Sequence, residues 1–547
     1  MKRSAPSKRP LAALALVSAL LLSCVASPPD RQPPTNPQPA NDATNPSRVL
    51  TIAATSDAVS FHPYKTTDAA SRAYQGLVYA GGLVRRSPHD PSQFEPELAE
   101  RWEISPDLRT YTFYLRPDLR WSDGHPLTAE DFRWTFEQAR APENGYPYAS
   151  NLEAIASYEA PDAHTVVITL KEPLVIGLEN ADAIQPLPKH VWESLDWNSA
   201  ERNPEILAPT VVSGPFTLRE WQRDAFATFV ANDLYFRGRP RLDGITYQLV
   251  GTNQIAWQKL RAGEVDQATL EPEFYLEARQ VPHLATYEWW PAAARWDFIG
   301  YNLRRPVLQD LAVRRALAHA IDRKTLAERL YFGLAEPSDG PYPPSCWCYA
   351  PDLPKYAYDL DRARQLLAEA GWRPGPDGLL ARNGEPLRLK LVYGPNSNRV
   401  RERIATVTQA ELRKLGIEVE VQTYEWAAFL DAIKRPPYDW DLTVLGWNST
   451  VEPHWMYQIW SEQNIPALNM GAYVNKRVEE LYAQAVRTFD LDARKALYRE
   501  IQHEITRDAP YIFLTVNKAF AAIHRRVGGI EPTPLGIGHN LHEWYIR

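Results

Sequence analysis

Polar and apolar residues alternate through Tyr111–Arg116, with Tyr111, Phe113 and Leu115 on one face and Thr112, Tyr114 and Arg116 on the other. A period of two predicts a half-buried strand. Ser122-Asp123-Gly124 then predicts a turn, since glycine allows positive φ and an aspartate can bond its own backbone. Thr128, with Asp131 three residues on, is capping-box-like and starts a helix carrying Phe132 and Phe136. Val49–Ala54 reads as the first strand, followed by a loop over 56–70; Val166–Leu170 and Ile245–Val250 are further β runs. Later the period lengthens to that of a helix. Val313, Leu317, Ala320 and Ile321 share a face, with Arg314, Arg315, Asp322 and Arg323 mostly elsewhere. Val400, Ile404 and Val407 begin another helix, ended by Gly416. Ile417, Val419 and Val421 alternate with Glu418 and Glu420, and Asp441–Trp447 reads as a buried strand. Strands alternating with helices predict an α/β architecture.

The N-terminus follows a different rule. Lys2, Arg3, Lys8 and Arg9 precede an apolar run from Leu11 to Leu22, which is too short to span a bilayer, and then Leu21-Leu22-Ser23-Cys24. This pattern resembles a bacterial lipobox, so residues 1–24 are expected to be a lipoprotein signal with Cys24 as the lipidated thiol. Residues 25–47 are proline-rich with almost no large apolar side chain, and predict a semi-extended tether. Signal, thiol and tether together predict a body held outside the cytoplasmic membrane by a lipid anchor.

At 547 residues, 44% hydrophobic and 23% charged, the chain has room for two to four domains with ample core. A net charge of −7 without a long Lys/Arg run argues against a nucleic-acid partner. Cys346 and Cys348 are the other cysteines; no second ligand pair exists for a zinc site. A Cys-Trp-Cys bridge would close a tiny loop, so two partly buried free thiols are expected. Catalytic spacings are missed: His503-Glu504 has Arg507 where a zinc protease needs its second His, and Gly536-Ile537-Gly538 lacks a third glycine and a helix. No nucleophile elbow or phosphate loop occurs. No enzyme activity, metal or cofactor is expected.

The order of residues over Phe94–Glu137, with Ala99-Glu100, Trp102, TYTFYLR and WSDGHPLTAED, resembles family 5 extracellular solute-binding proteins, the peptide receptors of ABC importers. Ser213-Gly214-Pro215-Phe216, the run from Asn302 to Arg323 containing Val313-Arg314-Arg315-Ala316-Leu317, DRARQLLAEAGW at 361–372 and Arg494–Glu504 followed by Ala509-Pro510 carry the likeness onward. The resemblance implies a periplasmic-binding-protein-like type II fold: two α/β lobes with a hinge and an inserted extra domain. Lobe I would be 48–85, 208–292 and 510–547, the insert 86–207, and the other lobe 293–509, with the hinge near Trp290–Asn302 and Thr506–Phe513. It further implies an ABC permease with its ATPase subunits as partners, and a monomer.

In peptide binders of that family an Asp soon after a Gly-Trp holds the ligand's α-ammonium. Here Gly446-Trp447 is followed by Asn448-Ser449-Thr450-Val451-Glu452-Pro453; the Asp is absent, and Glu452 is its candidate replacement. By the same resemblance Trp447, Trp426, Trp296 and Tyr148 line the cleft, and Thr67 and Asp68 belong to a ligand-touching loop. Aromatic faces suit apolar side chains and sugar rings alike. Three readings follow: a receptor for a peptide or peptide-like solute, an oligosaccharide receptor, and, disfavoured, a secreted hydrolase.

Overall fold

The structure is a computed structural model that describes residues 48–394 and 399–547. The expected signal, Cys24 and the tether to residue 47 lie outside the described residues. Residues 48–547 form one compact unit.

Two large sheets organise it. Val49–Ala54 lies inside a seven-stranded sheet, parallel to Gly244–Leu249 and Gln267–Ala268, with Phe226–Ala231 and Phe216–Gln222 beyond on one side. Ala519–His524 and Leu284–Trp289 complete its other edge. The second sheet has six strands and is centred on Arg295–Tyr301, which pairs antiparallel with both Leu442–Asn448 and Tyr511–Asn517. Arg388–Tyr393 and Glu418–Thr423 extend it in parallel, as the Val419/Val421 alternation predicts.

Within 86–207 a separate antiparallel sheet of four strands is built from Ala99–Ile104, Thr110–Leu115, Ile155–Asp162 and Thr165–Leu170. Tyr111, Phe113 and Leu115 are all buried there. The same apolar cluster continues into Leu50, Phe229 and Ile245 of the seven-stranded sheet, so the insert and the first lobe share a core. Thr128 N donates to Asp131 Oδ2 at 2.8 Å at the start of helix Ala129–Arg140, as its sequence predicts.

The chain passes between the two large sheets at 290–294 and again at Lys518. The second crossing corrects the expected boundary at 509/510: Tyr511–Asn517 pairs into the six-stranded sheet rather than into lobe I. Alternate burial decides this, since Tyr511 and Phe513 pack on one apolar cluster of that sheet while Ile512 and Leu514 pack on the other.

Helix Leu311–His319 buries Val313 and Leu317 as its period predicts, and Ala320 and Ile321 pack in the turn that follows. Arg314 and Arg323 are also buried, against the expectation from their polarity. Arg314 donates to the carbonyls of Leu308, Gln309, Asp508 and Ala509, capping the C-terminal ends of two helices with one guanidinium. Arg323 Nη1 donates to Ser338 O at 3.1 Å and Asp339 Oδ1 at 2.9 Å. Cys346 and Cys348 are buried and joined by a disulfide, overturning the free-thiol expectation; their Cα atoms lie 5.2 Å apart, a span an ordinary bridge covers.

Candidate functional site

A cavity of about 590 Å³ opens where the two sheets meet, walled by Glu271 and Phe520 from the first lobe, Lys518 from a crossing, and Arg295, Asp297 and Asn448 from the second. Strand Arg295–Tyr301 explains its chemistry. Successive side chains point to opposite faces, so Trp296 and Phe298 enter one apolar cluster while Arg295 and Asp297 face the cavity. A carboxylate on a buried strand must be paired. Arg295 Nη2 donates to Asp297 Oδ1 at 2.7 Å, and the Tyr331 hydroxyl donates to Asp297 Oδ2 at 2.6 Å. Burial, and then the Asp297 charge, push the Tyr331 hydroxyl well above the usual tyrosine range, so it stays a donor. Burial works against the charged form of Arg295, but the Asp297 carboxylate outweighs it and raises the guanidinium.

Gly446 lies opposite Asp297 in the register, and a Cβ there would sit 2.3 Å from Asp297 Oδ1 and 2.5 Å from Arg295 Nη2. The glycine of the Gly-Trp pair therefore clears backbone space for the ion pair. Arg401, at the start of helix Val400–Arg413, stands beside this group with its guanidinium 4.9 Å from the Trp426 ring centre.

The lobes also touch away from the cavity. Trp455 Nε1 donates to Glu179 Oε2 at 3.3 Å, Val175 N to Val486 O at 2.9 Å, and Arg403 pairs with Glu273 at 3.8 Å. A second cavity of about 340 Å³ lies at the Glu179–Trp455 contact, bounded by Arg86, Phe94 and Asp182.

Of the residues singled out from sequence, Asn448 lines the 590 Å³ cavity. Trp447, one position earlier, falls on the opposite face and packs half-buried beside the cluster of Trp296, Phe298 and Tyr511. Trp296 is 1% exposed, so its expected role in lining the cleft is corrected to core packing. Glu452 is corrected as well: its carboxylate is buried, paired with Arg494 in the second lobe and with Arg86 of the insert at 4.0 Å, and accepts from His454 N at 3.0 Å, so its charge is already engaged within the protein. Asp68 caps helix Ala69–Val78, accepting from Ser71 N at 2.8 Å, and Thr67 is exposed beside it. Tyr148 lines a pocket of about 450 Å³ with Thr66 and Arg72, whose Nη2 donates to the tyrosine oxygen at 2.7 Å. Trp426 is 42% exposed and stacks on Arg401 rather than lining the larger cavity. Arg295, Asp297, Tyr331 and Lys518 were not singled out. The available signal was two charges two residues apart inside the otherwise apolar RWDFIGY.

Two lobes joined by two crossings, with a polar cavity at the seam, form the kind of cleft in which a small solute is held. The family model described as bacterial extracellular solute-binding proteins, family 5 Middle, matches residues 93–467, and the chain belongs to that family. It is similar to the oligopeptide-binding protein AppA of Bacillus subtilis, 28% identical over 555 residues and all of both chains. The solved structure of that protein in complex with a nonapeptide superposes with a TM-score of 0.74 at 28% identity, over 92% of this chain and 100% of the other. NikZ from Campylobacter jejuni, solved in complex with Ni(L-His), gives a TM-score of 0.75 at 25% identity, over 92% and 100%. Family and neighbours are binding proteins. Among the described residues no helix is long and apolar enough to cross a membrane.

Proposed function

We propose that this chain is the substrate-binding component of an ABC importer, which captures a peptide or peptide-like solute between its lobes and hands it unaltered to a membrane permease. The observation that carries this reading is the charge content of the seam cavity: Glu271 on the first-lobe wall, the Arg295–Asp297 pair on the second-lobe wall, and Lys518 at the crossing between them. Groups of both signs around one cavity, with Glu271 and Lys518 outside the Arg295–Asp297 pair, suit a zwitterion, the charge pattern of a short peptide with free ends. The relatives' names support the same class.

The oligosaccharide alternative rested on the many tryptophans and on the missing Asp after Gly446-Trp447; of the tryptophans, Trp296 and Trp447 are taken up by the core side of the strand pair. The hydrolase alternative finds no support in the family or in the similar proteins, which are binding proteins. On this reading the chain works as a monomer tethered through Cys24 outside the cytoplasmic membrane, and Cys24→Ala moves it from the membrane fraction to the soluble one.

Native mass spectrometry of the purified chain, followed by calorimetric titration with peptides and with oligosaccharides, tests the proposal. A ladder of co-purified peptide masses and saturable peptide binding are expected. Hexose spacing, or turnover of an added peptide, would overturn it.

A further inference from the structure

Away from the seam, the inserted domain brings two imidazoles to one carboxylate. Asp123 Oδ2 lies 2.9 Å from His125 Nδ1 and 2.9 Å from His190 Nε2. The two rings stack with centres 4.4 Å apart and planes 27° from parallel. One nitrogen from each ring and one oxygen of the carboxylate all fall within 4.8 Å of one another. We propose that Asp123, His125 and His190 form a surface site for a divalent transition-metal ion, with Zn²⁺ as the probe.

The support is geometric and comes from how firmly the ligands are held. Asp123 and His125 sit on a tight turn in which Gly124 has φ +89 and donates to Trp121 O at 2.9 Å, while Trp121 N donates to His125 O at 2.9 Å. Trp121 itself is fully buried, so the turn is pinned from below. Asp123 Oδ1 accepts from His125 N at 3.0 Å, which orients the carboxylate and leaves Oδ2 toward the rings. His190 stands on the short helix Lys189–Trp192, anchored by buried Trp192. Asp131 ties the two segments together: its Oδ1 accepts from Lys189 N at 3.0 Å and its Oδ2 from Thr128 N at 2.8 Å. Lys189 Nζ is drawn aside to Glu130 at 2.9 Å, which offsets its charge near the site.

Two imidazole nitrogens and a carboxylate oxygen are a donor set that zinc and its neighbours accept, with bonds of about 2.0–2.2 Å and a further position for water. Such bonds space tetrahedral ligands about 3.3 Å apart, so the 2.9 Å contacts need to open only slightly, and all three side chains are exposed enough to do so. A solute held in the seam cavity would use other residues, so the two locations are separable by mutation.

The test is calorimetric titration of the full chain with Zn²⁺, alongside His125→Gln, His190→Gln and the double variant. One ion per chain is expected for the wild type, at least tenfold weaker binding in each single variant, and none at this site in the double variant. Peptide affinity and the metal-free thermal midpoint are expected to stay unchanged in all three. A readout on the unaltered protein is diethyl pyrocarbonate labelling mapped by mass spectrometry: Zn²⁺ is expected to protect His125 and His190 out of the twelve histidines. Wild-type stoichiometry and affinity in the double variant would overturn the proposal. So would unprotected labelling at both rings under saturating Zn²⁺, which would leave a hydrogen-bonded His–Asp–His cluster and nothing more.

Discussion

Asp297 and Gly446 face each other across two antiparallel strands, and a methyl group at 446 would lie 2.3 Å from the Asp297 carboxylate. The backbone of one strand is thus the floor on which the charged group of the other rests. Gly446→Ala is expected to push the Arg295–Asp297 pair out of the seam. Overpacking of this kind costs about 1–3 kcal/mol, and ligand affinity should fall at least tenfold. Denaturant unfolding and calorimetric titration read the two effects separately.

Glu452 tests whether a carboxylate near the Gly-Trp pair acts as a ligand anchor. Its partners are Arg494, the His454 amide and, at 4.0 Å, Arg86 of the insert. Glu452→Gln is expected to lower the stability of the unliganded protein by about 3 kcal/mol, because it leaves a buried guanidinium without its counter-charge. Affinity measured on the fraction that remains folded should change less than threefold. A large affinity loss without a shift in unfolding midpoint would return Glu452 to the binding site.

Adjacent residues on one strand are expected to give opposite phenotypes. Trp447→Ala opens a hole beside Trp296 and Tyr511 and should cost about 3 kcal/mol of stability. Asn448→Ala, on the cavity face, should leave the unliganded melting temperature within a degree or two and weaken ligand binding. Equal effects on stability from the two substitutions would contradict the register.

His62 predicts an acid sensitivity that has nothing to do with ligand. It is fully buried, with Nε2 at 3.1 Å from Trp197 O and Nδ1 accepting from Tyr64 N at 3.2 Å. Those partners define a neutral ring protonated on Nε2. Burial carries its pKa from the usual 6.5 down to about 3, only partly offset by the bond to Trp197. A folded pKa below the unfolded one means the unfolded chain binds the extra proton. Stability is therefore full above about pH 6.5 and falls as pH drops toward 3, with a slope of about 1.4 kcal/mol per unit from this group. Urea unfolding of wild type and His62→Phe at pH 7, 6, 5 and 4 should show that slope removed in the variant.

Local elements were legible because each depends on neighbours in the chain. The Tyr111/Phe113/Leu115 alternation, the Asp123-Gly124 turn and the Asp131 cap all follow from steric and hydrogen-bonding rules acting over a few residues. The order of those elements was enough to point to the family, since packing and turn residues recur in a set sequence. The second crossing was misplaced because Tyr511–Asn517 is apolar on both faces, and such a strand reads the same in either sheet.

The charge, the N-terminal pattern, the α/β class and the family were determined by the amino-acid sequence alone, because composition, period and motif order are properties of the chain itself. Which side of each strand faces the seam was decided only by the tertiary structure. A shift of one residue reverses every side chain on a strand, so Asn448 rather than Trp447, and Arg295 and Asp297 rather than Trp296, face the seam. The meeting of His125 with His190 belongs to the same category, since proximity in space comes from packing among segments that no local period encodes.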